Sequence, residues 1–119
     1  MSRCAVFLDR DGVLVETLVR DDRPLAALCL EDFRVVDGAA RQVQRLRDAG
    51  LVAIVVTNQP EVARGTLTTE VLTRMHAILG EAVPVHDIAV CPHDDGDHCA
   101  CRKPKPGLLE EAAAMWDLD

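Results

Sequence analysis

Asp9 and Asp11 are the residues of this chain whose type and spacing point most directly to chemistry. They stand one residue apart at the end of the apolar run Ala5-Val6-Phe7-Leu8, and Gly12 follows them. Side chains alternate along a strand, so aspartates at i and i+2 can point the same way. A strand that stops there carries the pair at its C-terminal tip, the edge where open α/β sheets bind ligands. At that edge one carboxylate can act as a nucleophile and the other can move a proton. Two carboxylates this close repel, so a site that keeps both holds a cation or shares a proton. With Mg2+ bound, one could attack phosphorus while the other protonates the leaving oxygen. The plainer alternative is a turn in which both aspartates serve only Gly12.

Two further polar groups suit the same chemistry. Thr57-Asn58-Gln59 ends a second apolar run, and hydroxyl and amide groups there can donate to a phosphoryl oxygen, although they also suit an ordinary strand-to-loop cap. Arg102-Lys103-Pro104-Lys105 is a basic cluster just ahead of an expected helix start, where anions are favoured. Lys103 could offset the charge of paired carboxylates and a phosphate; a solvated charged face is the simpler reading.

Cys91, His93, Cys99 and Cys101 form the sharpest local pattern. Three sulfurs and an imidazole arrive as two pairs joined by a short polar loop. That set suits tetrahedral Zn2+ held by four protein ligands, a structural site rather than a catalytic one. Asp94-Asp95-Gly96-Asp97-His98 has no apolar residue from which to build a core, so a metal would order the loop. A Cys99–Cys101 or Cys91–Cys99 disulfide, or unpaired thiols, are the alternatives. His86 and His98 are weaker ligand candidates, His76 reads as a surface or boundary residue, and Cys4 and Cys29 as buried or incidental.

The elements that must position these groups alternate. Cys4–Leu8 reads as a buried parallel strand. The span from 13 to 36 shows no clear period; Arg20–Pro24 reads as a polar loop, and residues 30–36 as a short extended segment. Asp37-Gly38 opens a helix with Ala39, Val43 and Leu46 on one face, and Gly50 stops it. Leu51–Val56 is a continuous apolar, β-branched run, the clearest strand of the chain. Residues 60–66 read as a loop. Thr68 or Thr69 caps a helix through Gly80, with Val71, Leu72, Met75, Ile78 and Leu79 facing inward. His86–Val90 is a third strand, and Leu108–Trp116 a last helix. The pattern is βαβαβ, which implies parallel strands joined by crossovers.

Composition bounds the rest. With 119 residues the chain fits one domain, and 49% apolar residues supply a core. Two Phe, one Trp and no Tyr make that core aliphatic. A net charge of −7 disfavours nucleic acid as a partner, and so do the scarce aromatic residues, which leave little to stack on bases. No run approaches the roughly 18 apolar residues of a membrane span. The start, Met1-Ser2-Arg3-Cys4, reads as carrying no signal peptide, and the expected location is cytoplasmic.

Together these motifs resemble the haloacid dehalogenase superfamily of phosphohydrolases. Phe7–Val13 resembles its first motif. Thr57-Asn58-Gln59 with Ala63-Arg64-Gly65 is similar to the second motif and the loop after it. Cys91-x-His93…Cys99-x-Cys101-Arg102-Lys103-Pro104-x-Pro106-Gly107 resembles the zinc loop and third motif of the branch that contains the D-glycero-D-manno-heptose 1,7-bisphosphate phosphatases and the histidinol-phosphatases. The likeness implies a Rossmann-like parallel sheet with flanking helices, no large cap and a zinc-loop insertion over 91–101, within one domain over 1–119. It implies a Mg2+-dependent hydrolase of a small sugar phosphate. Asp9 would be the nucleophile and Asp11 the acid and base. Mg2+ would sit between the Asp9 carboxylate and the Asp11 backbone carbonyl. Thr57, Asn58, Gln59 and Lys103 would hold the phosphoryl group, and Arg64 and Arg102 the rest of the substrate. Zn2+ would bind Cys91, His93, Cys99 and Cys101.

One departure accompanies the resemblance. The superfamily's fourth motif, an apolar strand ending in Gly-Asp with a further Asp, has no counterpart after Trp116, and Asp117 and Asp119 do not end a strand. The expectation is a C-terminally shortened chain that lacks the final strands and leaves one edge of residues 4–8 unpaired. The competing expectation is a zinc-containing fold with little activity that self-associates or binds a partner along that edge. The family itself implies a monomer. Heptose bisphosphate is the favoured substrate and histidinol phosphate the alternative.

Overall fold

The apolar run after Gly50 decides the architecture. In the computed structural model, which describes residues 4–20, 22–93 and 107–116, that run is the strand Val52–Asn58, and its first six residues are buried. Numbered along the chain, the strands are β1 (Ala5–Asp9), β2 (Leu18–Arg20), β3 (Arg23–Leu25), β4 (Val52–Asn58) and β5 (Asp87–Cys91). The helices are α1 (Ala39–Asp48), α2 (Glu61–Arg64), α3 (Thr69–Ala82) and α4 (Gly107–Trp116). β1, β4 and β5 form a parallel sheet in the order β1-β4-β5, so β4 is bonded on both sides. A strand covered on both faces must be apolar throughout, and β-branched residues fit the pleat; Val52-Ala53-Ile54-Val55-Val56 satisfies both demands. The parallel α/β order expected from the sequence is the one found.

The core divides across the sheet. Val55 and Ala53 join Leu14, Val15, Phe33, Val43, Leu72, Met75 and Leu79 in the larger cluster. Ile54 and Val52 meet Ala112 of α4, with Ala5, Phe7 and Trp116 packed against them. Alternation along β4 explains the split, since neighbouring residues face opposite sides. α4 is tied to β5 by the Trp116 indole, which donates to Asp87 Oδ2 at 3.0 Å. Thr68 caps α3 by accepting from the Val71 N–H at 3.1 Å.

Several local expectations need correction. Arg20–Pro24 is not a plain loop: β2 and β3 pair antiparallel as a short hairpin, and Asp22 takes a left-handed φ of 60° at its turn. Aspartate tolerates that conformation better than most residues, which is why so charged a stretch can turn. Residues 30–36 are not one extended segment but a 3-10 turn, Leu30–Asp32, followed by a single bridge between Val15 and Val35. The loop at 60–66 contains α2, closed by Gly65 at φ 82°. α3 runs two residues past Gly80, and Ile78 on it is 42% exposed rather than inward. Cys4 and Cys29 are both exposed. No helix among the described residues is long and apolar enough to cross a membrane.

Candidate active site at the strand tips

Register brings the chemistry together. Asp9, the last residue of β1, pairs with Val56 of β4, so Thr57 and Asn58 continue past the same edge. On the other side of β4, Asn58 pairs with Cys91, the last residue of β5. Three parallel strands therefore end at one level, carrying Asp9, Thr57, Asn58 and Cys91 in a row.

The turn after β1 holds Asp11 beside this row. Arg10 accepts at its carbonyl from the N–H groups of Leu14 and Val15, at 3.0 and 2.9 Å. Gly12 adopts φ 83°, which a side chain would resist. The chain thus doubles back at once. Asp9 is exposed, and Asp11 is half-buried.

Asp11 is bound on both oxygens. Arg10 Nε donates to Oδ1 at 2.9 Å, and Arg10 Nη2 lies 2.8 Å from the same oxygen as an ion pair without an aligned hydrogen bond. Gln59 Nε2 donates to Oδ2 at 3.1 Å. The same amide nitrogen donates to Thr57 Oγ1 at 2.8 Å. Gln59 and Thr57 are each 2% exposed, so this amide is committed to orienting its neighbours. Its amide nitrogen faces the Asp11 carboxylate and the Thr57 hydroxyl together.

Arg64 lies on α2, half exposed, with Nη1 2.9 Å from Glu61 Oε1. A concavity of about 300 Å3 opens beside Asn58 and Gln59, walled by Leu18 and Leu25 of the hairpin, Asp32, Pro60 and Glu61. It is large enough for the body of a small sugar phosphate.

Cys91 is fully buried, and its Sγ lies 3.6 Å from His93 Nδ1. Two ligands of one tetrahedral Zn2+, with bonds of about 2.3 Å to sulfur and 2.0–2.1 Å to nitrogen, stand about 3.6 Å apart. The pair therefore has the spacing of two vertices of a zinc tetrahedron. Cys99, Cys101, Arg102 and Lys103 lie outside the described residues.

No family profile matches the chain. It is 39% identical, over a 124-residue alignment covering 100% of the chain and 67% of the relative, to the D-glycero-beta-D-manno-heptose-1,7-bisphosphate 7-phosphatase of Pseudomonas aeruginosa. The chain belongs to the heptose-bisphosphate phosphatases of the haloacid dehalogenase superfamily. A Mycobacterium tuberculosis member, named for the alpha anomer of the substrate, is 35% identical and is matched over 87% of this chain and 55% of its own length. The crystal structure of the Bordetella bronchiseptica D,D-heptose 1,7-bisphosphate phosphatase, complexed with magnesium and phosphate, superposes with a TM-score of 0.79 at 31% identity. That match covers 98% of this chain and 65% of the other. The chain thus spans between about half and two thirds of the length of these phosphatases.

Two groups in this family member escape a reading of the sequence. Arg10 is 0% exposed, and His76 accepts at Nε2 from Arg10 Nη1 at 3.2 Å. His76 is not a passive boundary residue. Alternation hints at Arg10, because a residue between two outward aspartates must face inward. Nothing local ties it to a histidine on α3.

Burial, and then the Arg10 charge, lower the His76 pKa from 6.5 to about 4, against an upward pull from Asp11. A guanidinium keeps its proton, so this bond needs a neutral imidazole with its own proton on Nδ1. The unfolded chain takes up a proton at His76 as the pH falls through 6.5, while the folded chain resists until about 4. This contribution to stability is therefore complete above pH 6.5 and is lost as the pH falls through that window. Partial exposure screens it to on the order of 2 kcal/mol. Urea midpoints at pH 7 and pH 4.5 are expected to fall further in the parent than in His76→Gln. Equal losses in the two proteins would refute this assignment.

Proposed function

We propose that this chain hydrolyses the C7 phosphate ester of a D-glycero-D-manno-heptose 1,7-bisphosphate. The observation that carries this reading is the Asp9–Val56 register, which sets Asp9 level with the end of β4 next to Thr57 and Asn58, with Asp11 bonded to Gln59 just beyond. Relatives named for that activity support the choice of substrate.

Asp9 is the nucleophile. Its carboxylate oxygen attacks phosphorus, the bond from phosphorus to the sugar oxygen breaks, and Asp11, entering this step as the carboxylic acid, gives that oxygen its proton and is left as the carboxylate. Water then attacks the aspartyl-phosphate, Asp11 takes its proton, and the Asp9 carboxylate is regenerated as phosphate leaves. The Thr57 hydroxyl, already accepting from Gln59, has its own proton to donate to a phosphoryl oxygen. Asn58, Lys103 and, for the rest of the substrate, Arg64 and Arg102 complete the binding set.

The donor set fits Mg2+, a hard cation that takes oxygen ligands. Asp9 offers an exposed carboxylate, and Asp11, whose carboxylate oxygens already accept from Arg10 and Gln59, offers its backbone carbonyl. Bound there, the ion would offset the charge between Asp9 and the incoming phosphate. Zn2+ on Cys91 and His93, with Cys99 and Cys101, would shape the loop that leaves β5 beside Asn58.

The test is phosphate release with Mg2+ from both anomers of heptose 1,7-bisphosphate, with histidinol phosphate beside them. No release from any of them at high protein concentration would sink the reading. A separate expectation concerns the loop: purified chain carries about one zinc per molecule, and Cys91→Ser loses most of it. Metal analysis showing no zinc in the parent, or undiminished zinc in the variant, would remove Cys91 from the ligand set.

A further inference from the structure

We propose that Arg10 and His76 are positioning residues for Asp11: the guanidinium orients the carboxylate, and the imidazole fixes the guanidinium. The bearing on turnover rests on the phosphatase reading; the structural link does not.

Arg10 is wholly buried, and a guanidinium cannot shed its charge to ease that burial. It needs acceptors close by, and Nε and Nη1 have them, whereas Nη2 has the Asp11 charge without an aligned hydrogen bond. Asp11 Oδ1 takes Nε at 2.9 Å and faces Nη2 at 2.8 Å. His76 Nε2 takes Nη1 at 3.2 Å. The guanidinium carbon lies over the Phe33 ring, 5.5 Å from its centroid. The planar fork is thus held at both ends, by the turn after β1 and by α3, with Phe33 at the end of the 3-10 turn beside it.

Asp11 inherits this rigidity. One oxygen is set by Arg10 and the other by Gln59 at 3.1 Å, so rotating the carboxylate breaks one bond or the other. Proton transfer needs its donor and acceptor atoms held to a fraction of an ångström. A purely structural ion pair would use the same bonds for stability alone. The difference is testable, because the two roles respond differently when the acceptor on α3 is removed and then restored.

His76→Leu removes the acceptor, whereas His76→Gln offers a side-chain carbonyl in its place. With aspartate carboxyls labelled with 13C, the Asp11 signal is identified by its loss in Asp11→Asn. The signal is expected to move in His76→Leu and to return close to its parent position in His76→Gln. With a phosphate monoester and Mg2+, kcat is expected to fall about tenfold in His76→Leu, with KM within about twofold, and to recover in His76→Gln. An Asp11 signal unmoved in His76→Leu overturns the link, and so does one that His76→Gln fails to restore. If the parent releases no phosphate, the hydrolase reading fails, and the carboxyl signal still decides the link. Should His76→Leu not fold, Arg10→Lys serves: a lysine cannot hold both partners, so the Asp11 signal must move, and an unmoved signal refutes the proposal.

Discussion

Asp9→Asn is expected to remove turnover, lowering kcat by about 10^4-fold or more. Asparagine keeps the size and planarity of aspartate but cannot attack phosphorus as an anion. Asp9 is exposed at the tip of β1 and belongs to none of the apolar clusters, so the fold should be unaffected. Phosphate release is the measurement, with circular dichroism and the melting temperature as controls. Activity above about a hundredth of the parent's, in a folded variant, would assign the nucleophile elsewhere.

The second large effect is on stability. Ile54→Ala is expected to cost about 2–5 kcal/mol, whereas Ile78→Ala should stay within about 0.5 kcal/mol. Ile54 is 0% exposed on the strand bonded on both sides and belongs to the cluster with Val52 and Ala112 against which Phe7 and Trp116 pack. Ile78 is 42% exposed on α3, although its place in the helical period suggests an inward residue. Urea unfolding of both variants decides the matter, and similar losses would mean that Ile78 is buried after all.

These two isoleucines show how far sequence reasoning reaches. β4 is legible because six apolar residues in a row, rich in β-branched side chains, have no reasonable place except between two layers. α1 and α3 are legible from their periods and from the Thr68 cap. A period, however, gives only the direction of a side chain. What covers it depends on neighbours brought in from elsewhere, and at Ile78 that cover is incomplete. The hairpin at 18–25 is hidden because its turn is made by charged residues, and α2 because four residues carry too little pattern.

The site divides the same way. Asp9, Thr57 and Asn58 are readable, since each sits where an apolar run stops. The reach of Arg10 to His76 is not, since the two residues are far apart in the chain and meet only once α3 is packed on the sheet. Gln59 is an intermediate case. Its position next to Asn58 suggests a phosphate donor, and only the folded geometry reveals an amide shared between Thr57 and Asp11.

The common level of the strand tips also has a consequence for how the molecule comes into being. Asp9 and its partner Val56 lie on strands separated by the whole hairpin and α1, and Cys91 follows only after α3. On a ribosome the two aspartates emerge first and wait. Their edge is completed only when β4 has left the exit tunnel, and the cysteine arrives later still. Until then β1 is a short apolar segment with nothing to pair with. Assembly of the strand-tip row therefore depends on distant closure, the slow kind of contact.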